Sequence, residues 1–420
     1  MQAEVLSVGT ELLLGEIADT NAQYLSGKLR DAGVDVYRRV TVGDNPARLT
    51  ASFREALGRA DIVIATGGLG PTADDVTAKC LAEAMGLRLV FSQDAWDMTA
   101  SWFRKRGREP RETDRKQAMI IEDGRFLSNL NGTAPGQAIV AGGKLAALLP
   151  GPPREMMPMF EDYVMPLIKE SFPGLIPLTC KDLRLVGIGE GQVQETVGDL
   201  MESVNPSLAP YAGLGEVRLR VAARGHDPKE SQAMVLSMEQ KVRERLDDYI
   251  YGTTEDTLEG VCVGLLKKTG LTLGVAESIT GGLILNRLTG VPGVSANLKM
   301  GVVAYSPAVK VSTLGVPEEA VRREDAVNPD VAEAMAKSAR ALSGAKIGLA
   351  TTGFAGPGGG TADAPVGTVY TALTHRQGSI VDRQLLTGTR NAIKERAAQN
   401  ALAMLWRYLK SQAARGNRKS

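Results

Sequence analysis

A chain of 420 residues has room for two or three domains, each with its own core. Apolar residues make up 43% and charged residues 23%. The 49 Lys and Arg stand against 48 Asp and Glu, so a formal net charge of +1 excludes any general electrostatic pull toward nucleic acid or membrane surfaces.

EVLSVG (residues 4–9) predicts a strand, TNAQYLSGKLRDAG a helix closed by Gly33, and VDVYRRV a second strand. NPARLTASFREALGRA then reads as a helix, DIVIAT as a buried strand, and DDVTAKCLAEAMG as a helix. This rhythm implies right-handed βαβ crossovers and a mainly parallel sheet. A charged helical stretch follows around residues 93–118, and LAALLPGPP reads as a strand stopped by prolines. SFPGLIPL (171–178) marks a boundary. KDLRLVGIG, GQVQETVGDLMESV, the alternating strand GEVRLRVAARG and a helix over residues 228–246 form a small α/β unit whose sheet has one wet face.

A third α/β unit opens near Asp256. TLEGVCVGLLKKTG is a helix, LTLGVA a strand, GGLILNRLTG a helix and MGVVAYS a strand. A helix near residues 330–342 leads to the strand KIGLATTG, then the strand VGTVYTAL and the closing helix AIKERAAQNALAMLWRYLK. The last residues, RGNRKS, read as a solvated tail. Three separated cysteines without a CxxC offer neither a zinc ribbon nor a redox pair. With no signal-type segment and no run near the ~18 apolar residues of a bilayer span, a cytoplasmic protein is expected.

In AESITGG, Ser278 follows a strand, where a nucleophile needs a base. The chain has two histidines, His226 in a turn and His375 at the far end of a strand, and neither is placed to serve. Lysine is the alternative, provided burial lowers its pKa. Lys310, in the turn SPAVK after the strand GVVAY, is the first choice and Lys299 the second. On local sequence alone, a helix N-cap at Ser278 or Thr280 beside a solvated Lys310 is the more economical reading. The glycine-dense stretch ATTGFAGPGGGTADAPVGTVY, with Arg390 and Arg396 after it, tilts the balance. Backbone amides and arginines there suit a phosphate or an oxyanion.

In the N-terminal part, SVGTELLLGEIADTN places Glu11, Asp19 and Asn21 after the first strand. IATGGLGPTADDVTAK places Gly67, Gly68 and Gly70 before Asp74 and Asp75 at a helix start. Glycine amides at a helix N-terminus hold anions, and paired carboxylates can hold a divalent metal. Asp74 or Asp75 also serves as an ordinary N-cap. Asp44 is a third acidic candidate.

AESITGGL, GVVAYSPAVK, TTGFAGPGGG, APVGTVY and the GTR turn resemble, in order, the nicotinamide mononucleotide deamidases and the C-terminal domain of the CinA family. The resemblance implies Ser278 as nucleophile, Lys310 as base, and a substrate pocket of Glu277, Thr280, Gly281, Gly282, Tyr305, Thr352, Gly353, Gly356 and Arg390. Two departures stand out, Ile279 where many relatives carry cysteine and Thr389 where relatives often read aspartate. The N-terminal motifs, with NLNGTAPG and LLPGPPREM, resemble molybdopterin-binding domains and the N-terminal domain of CinA.

That second resemblance implies ADP-ribose hydrolysis to AMP and ribose 5-phosphate. Phosphates would lie on Thr10, Gly67, Gly68, Gly70 and Thr72, and a divalent metal (Mg, Mn or Co) on Asp75, Glu11 and Asp44. The deamidase is expected to need no cofactor. The middle unit resembles the family's KH-type domain without a clean GxxG loop, so no direct nucleic-acid binding is expected. The expected organisation is therefore α/β throughout: a molybdopterin-binding-like three-layer domain at 1–170, a KH-type unit at 171–254, a deamidase domain at 255–412 and a disordered basic tail at 413–420. Family resemblance implies a homodimer and no membrane partner. A rival reading makes the chain a nucleotide- or molybdopterin-binding sensor or competence partner without N-terminal catalysis.

Overall fold

The computed structural model describes residues 1–417, which divide into two compact units. The first comprises Met1–Thr179 and Arg224–Ser231, the second Cys180–Ala223 and the chain from Gln232 onward.

The strands β1 (Gln2–Val8), β2 (Asp35–Val42) and β3 (Ile62–Thr66) run parallel, with β1 in the middle. A two-stranded ladder of β4 (Leu89–Phe91) and β5 (Met119–Ile121) stands apart. Then β6 (Arg125–Leu127), β7 (Gly136–Ala141) and β8 (Lys144–Leu149) complete a six-stranded sheet in the order β2-β1-β3-β8-β7-β6. β3 reads IVIAT and is buried on both faces. Ile62 and Ile64 join Val5 in one core, while Val63 and Ala65 join Leu6 in the other. The helix Thr20–Asp31 covers the first face with Leu25 and Leu29, and Pro46–Arg59 covers the second with Leu49 and Phe53. A continuous apolar run in a parallel strand thus becomes the middle of three layers.

In the second unit, β9 (Thr179–Val186), β10 (Ser207–Ala212), β11 (Glu216–Ala223) and β12 (Ile250–Thr253) form a sheet ordered β10-β11-β9-β12. Leu183, Leu185, Val217, Leu219 and Val221 pack inward against the helices Glu190–Met201 and Pro228–Leu246. The alternate residues Arg218 and Arg220 pair with Asp182 at 3.2 and 3.0 Å on the wetter face, so the period-two pattern holds.

The remaining sheet orders its strands β14-β13-β15-β16-β17. They are β13 (Leu273–Glu277), β14 (Leu298–Val303), β15 (Ile347–Gly353), β16 (Thr368–His375) and β17 (Gly378–Leu385). The first three run parallel with β13 between the other two, and β16 and β17 follow antiparallel. Helices Leu258–Thr269 and Arg390–Asn417 cover one face, and Pro329–Ser343 the other.

Three local expectations are corrected. Lys310 lies within a helix, Pro307–Leu314, rather than in a turn, because Ser306 caps it and Pro307 sits comfortably in its first turn. The helix after the N-terminal glycine loop starts at Thr77, so Asp74 and Asp75 belong to the loop. Of the tail expected to be disordered over 413–420, residues 413–417 continue the closing helix, whose Ala413 and Ala414 are strong helix formers, and 418–420 lie outside the described residues. Among the described residues no helix is long and apolar enough to cross a membrane.

Tyr251 packs edge-on against Trp406 with ring centroids 6.4 Å apart, and Val186 shares that core. A fragment starting at residue 253 should therefore fold, yet melt several degrees below one starting at residue 180, a loss of ~2 kcal/mol or more. Thermal melts of both fragments followed by circular dichroism check this.

Candidate active site

Three parallel strands end side by side, and the loops beyond β13, β14 and β15 converge there. This carboxyl edge is where open α/β sheets bind ligands. β13 ends at Glu277, so Ser278 is the first residue beyond the sheet, and its amide donates to Thr351 O at 3.0 Å. β14 ends at Val303, and the chain then turns into the helix that carries Lys310. β15 ends at Gly353 and opens into the glycine-rich loop.

The Lys310 amine donates to Ser278 Oγ at 2.9 Å, to Ala304 O at 2.9 Å and to Tyr305 O at 3.1 Å. Lys310 is 2% exposed and Ser278 7%. Removal from water disfavours the ammonium and pushes Lys310 down from 10.5 to about 8, while the Asp325 carboxylate opposes that fall. The pair lines a cavity of about 260 Å³. Tyr305, Thr352, Gly353, Gly356 and Arg390, all expected from the sequence, line it too. Arg390 opens the closing helix and donates to Gly356 O at 2.5 Å and to Tyr305 Oη at 2.9 Å, which fixes its guanidinium at the cavity wall. A cation at a helix N-terminus suits an anionic ligand.

The other expected pocket residues hold the nucleophile's loop instead. Glu277 is fully buried, and its carboxylate accepts from the amides of Gly282 (2.8 Å), Ile284 (3.2 Å) and Leu285 (2.8 Å). The first turn of the helix Leu283–Thr289 is thereby capped by a residue adjacent to Ser278. Thr280 Oγ1 lies 2.9 Å from Thr351 Oγ1, tying the loop to β15. Gly281 and Gly282 have φ of 61° and 97°, a conformation that favours glycine and lets the chain turn tightly from nucleophile to helix.

Asp325, which lines the cavity beside Lys310, went unnoticed in the sequence. Only the backbone conformation of REDA, invisible in the letters, turns it to the site. His375 stacks on Tyr408 at the opposite end of β16, away from Ser278. His226 sits before the helix Pro228–Leu246.

In the first unit, Gly67 has φ of 104°, and an added Cβ would lie 2.2 Å from Val8 O, so only glycine fits. Gly68, Gly70 and Asp75 line a cavity of about 120 Å³ together with Lys79 and Lys116. Asp75 accepts from Thr72 N at 2.8 Å and Thr72 Oγ1 at 2.5 Å. Asp44 accepts from Thr10 N at 2.9 Å and Thr10 Oγ1 at 2.8 Å. Glu11 lines a different cavity of about 330 Å³, with Ser7, Asp19, Asn21 and Thr66. Asp19, the last residue before the helix Thr20–Asp31, caps it, and Asn21 lies inside that helix rather than in a loop. The three carboxylates expected to share a divalent ion thus form no common group, and two of them accept from threonine donors. Among the described residues no group of three or more His, Cys, Asp or Glu is placed to hold a metal. Buried Ser7 Oγ and Asn21 Oδ1 have no partner, which leaves hydrogen-bonding capacity beside the larger cavity.

Residues 4–170 match the family described as a probable molybdopterin binding domain. Residues 180–252 match the KH domain of damage-inducible protein CinA, and residues 255–409 the CinA C-terminal domain. The chain is 47% identical over 410 residues to a CinA-like protein of Dictyoglomus turgidum, covering 97% of this chain and 99% of that one. It is 44% identical over 410 residues to a CinA-like protein of Kosmotoga olearia, with the same coverage. A solved structure of a CinA protein from Thermoplasma acidophilum is 34% identical, with a TM-score of 0.38, and covers 40% of this chain and 99% of its own.

Glu277→Ala should leave the buried Ile284 amide and the half-buried Gly282 and Leu285 amides unpaired and cost about 3 kcal/mol in urea denaturation. Glu277→Gln, which can satisfy only part of the set, should fall between the two.

Proposed function

Because the chain belongs to the CinA family, and because its C-terminal half joins a buried lysine to a serine, we propose that this half is a Ser–Lys amidohydrolase. It converts nicotinamide mononucleotide and water to nicotinate mononucleotide and ammonia. The observation that carries the reading is the 2.9 Å contact from Lys310 Nζ to Ser278 Oγ, made where burial holds the amine near 8. Unprotonated Lys310 takes the hydroxyl proton as Ser278 Oγ attacks the carboxamide carbon. The ammonium so formed returns the proton to the departing nitrogen, and ammonia leaves. Water then gives a proton to Lys310 and attacks the ester carbonyl, and Ser278 Oγ leaves with that proton. The nicotinic acid group so formed releases its proton to solvent, leaving carboxylate and free serine. Arg390 and the glycine wall around Gly353 and Gly356 support a phosphate-bearing substrate rather than a plain amide. No step in this sequence draws on a metal.

For the N-terminal half the reading is hydrolysis of ADP-ribose to AMP and ribose 5-phosphate. Its support is the glycine loop with Lys79 and Lys116 at one cavity. Since Asp75, Glu11 and Asp44 do not form a cluster, no step is routed through a divalent ion. The same separation favours a second reading for this half, a nucleotide- or pterin-binding module, in which the unpartnered Ser7 and Asn21 atoms meet a ligand that does not react.

Ser278→Ala and Lys310→Ala should each abolish most ammonia release from nicotinamide mononucleotide while the fold survives, and the double variant should be little worse than either. Lys310→Arg should fail as well, since guanidinium stays protonated. With an amine near 8, about a tenth is the free base at pH 7. The rate should therefore climb close to tenfold per pH unit at low pH and level off above 8. Near-normal turnover by Ser278→Ala, or a rate that falls as pH rises from 6 to 8, removes the mechanism. AMP release from ADP-ribose, assayed with and without chelator and in Asp75→Ala, decides the N-terminal half. Selective loss of AMP supports catalysis there, and no AMP with any common divalent ion leaves the binding module.

A further inference from the structure

The cavity beside Ser278 is lined by three charged side chains, Lys310, Arg390 and Asp325, and by one phenol, Tyr305. Arg390 is held by Gly356 O and Tyr305 Oη, and Lys310 by Ser278 and two carbonyls. Asp325 is the one carboxylate of the set, and its backbone is strained. Asp325 has φ of 50° and Ala326 of 63°, two consecutive left-handed residues neither of which is glycine.

Such strain persists only where the surroundings impose it. Here they do so from both sides. Buried Asn328 donates through Nδ2 to Ala320 O at 2.9 Å and to Arg323 O at 3.0 Å, and its Oδ1 caps the helix Pro329–Ser343. Thr352, itself a cavity residue, donates to Ala326 O at 2.9 Å. The segment is thus tied to the following helix and to the end of β15, which holds Asp325 at the wall of the cavity that Ser278 and Lys310 line.

We propose that Asp325 is a positioning residue that controls the proton on Lys310 and thereby sets the acid limb of the serine's reactivity. The inference rests on the Ser–Lys reading given above. A wholly desolvated lysine is a strong enough base to take the serine proton but a weak donor to a leaving nitrogen. A carboxylate at the cavity wall partly restores the ammonium, bringing the amine to the range where it performs both transfers. Among the described side chains, the groups around the amine are Ser278 just after β13, the carbonyls of Ala304 and Tyr305, and, lining the same cavity, Asp325, Tyr305 and Arg390. Of these only Asp325 is anionic.

The test uses the full chain with Asp325→Asn and Asp325→Gly, both of which remove the charge and tolerate the left-handed backbone. An alkyl fluorophosphonate that labels Ser278 reports the pair's ionisation without any assumption about substrate, with Ser278→Ala as the unlabelled control. Labelling rate and ammonia release from nicotinamide mononucleotide are both followed from pH 5.5 to 9.5. Loss of the anion favours the free base, so both acid limbs should move down by roughly half a unit to a unit, and labelling at pH 6 should rise about three- to tenfold. Limbs that coincide with the parent's in both variants overturn the role of Asp325, whether or not ammonia is released. A displaced labelling limb in a protein that releases no ammonia keeps Asp325 and discards the amide substrate.

Discussion

A lysine amine placed almost out of water, with no carboxylate in contact with it among the described residues, is the constraint around which the C-terminal half is arranged. The fall from 10.5 to about 8 corresponds to roughly 3 kcal/mol withheld from stability at neutral pH. An unfolded chain keeps the proton up to 10.5, so this cost is full below 8 and fades as pH rises from 8 to 10.5. Nothing in the packing requires a lysine at that position. The helix Pro307–Leu314 would bury a leucine there more cheaply, as it does at Leu314. What the lysine gains is three acceptors, one of them a serine hydroxyl, in a site where its proton is loosely held.

The sheet makes this arrangement rigid. Ser278 directly follows β13 and Gly353 ends the neighbouring β15, so their spacing is set by hydrogen-bonded register, while Lys310 is held on the capped helix that follows β14. Glu277 extends the same logic beyond the sheet, its carboxylate carrying strand order into the first turn of the next helix. β17 lies antiparallel to β16, which is antiparallel to β15, so its C-terminal end returns to the same edge and delivers Arg390. The N-terminal half uses the same edge with different furniture. Its glycines approach backbone closely, yet its acidic residues are spent on threonine donors and separate cavities rather than gathered at one point.

Much of this was legible in the letters. Strands such as DIVIAT and LTLGVA announce themselves by apolar runs between glycine and polar punctuation, and the scarcity of histidine directs attention to lysine. Period and composition missed what depends on tertiary geometry. Lys310 reads as a turn residue because SPAVK is short and polar at its start, and only the capped helix reveals that it is buried. Glu277 enters the expected pocket through the family resemblance, but strands alternate, and its side chain turns to the helix amides. Asp325 escaped because a left-handed backbone leaves no mark when the residue is not glycine. The three N-terminal carboxylates are close to glycine motifs in sequence, but that proximity does not reveal that Asp75 and Glu11 line different cavities while Asp44 is bonded to Thr10.

The most direct measurement of the central claim is capture of the covalent intermediate. Protein mixed with nicotinamide mononucleotide, quenched in acid within one turnover and digested, would be read by mass spectrometry for the peptide containing Ser278. The expected result is the mass of the nicotinoyl mononucleotide ester on that serine, absent in Ser278→Ala and accompanied by one equivalent of ammonia. Ammonia release without any adduct on Ser278, undiminished in Ser278→Ala, would contradict the account.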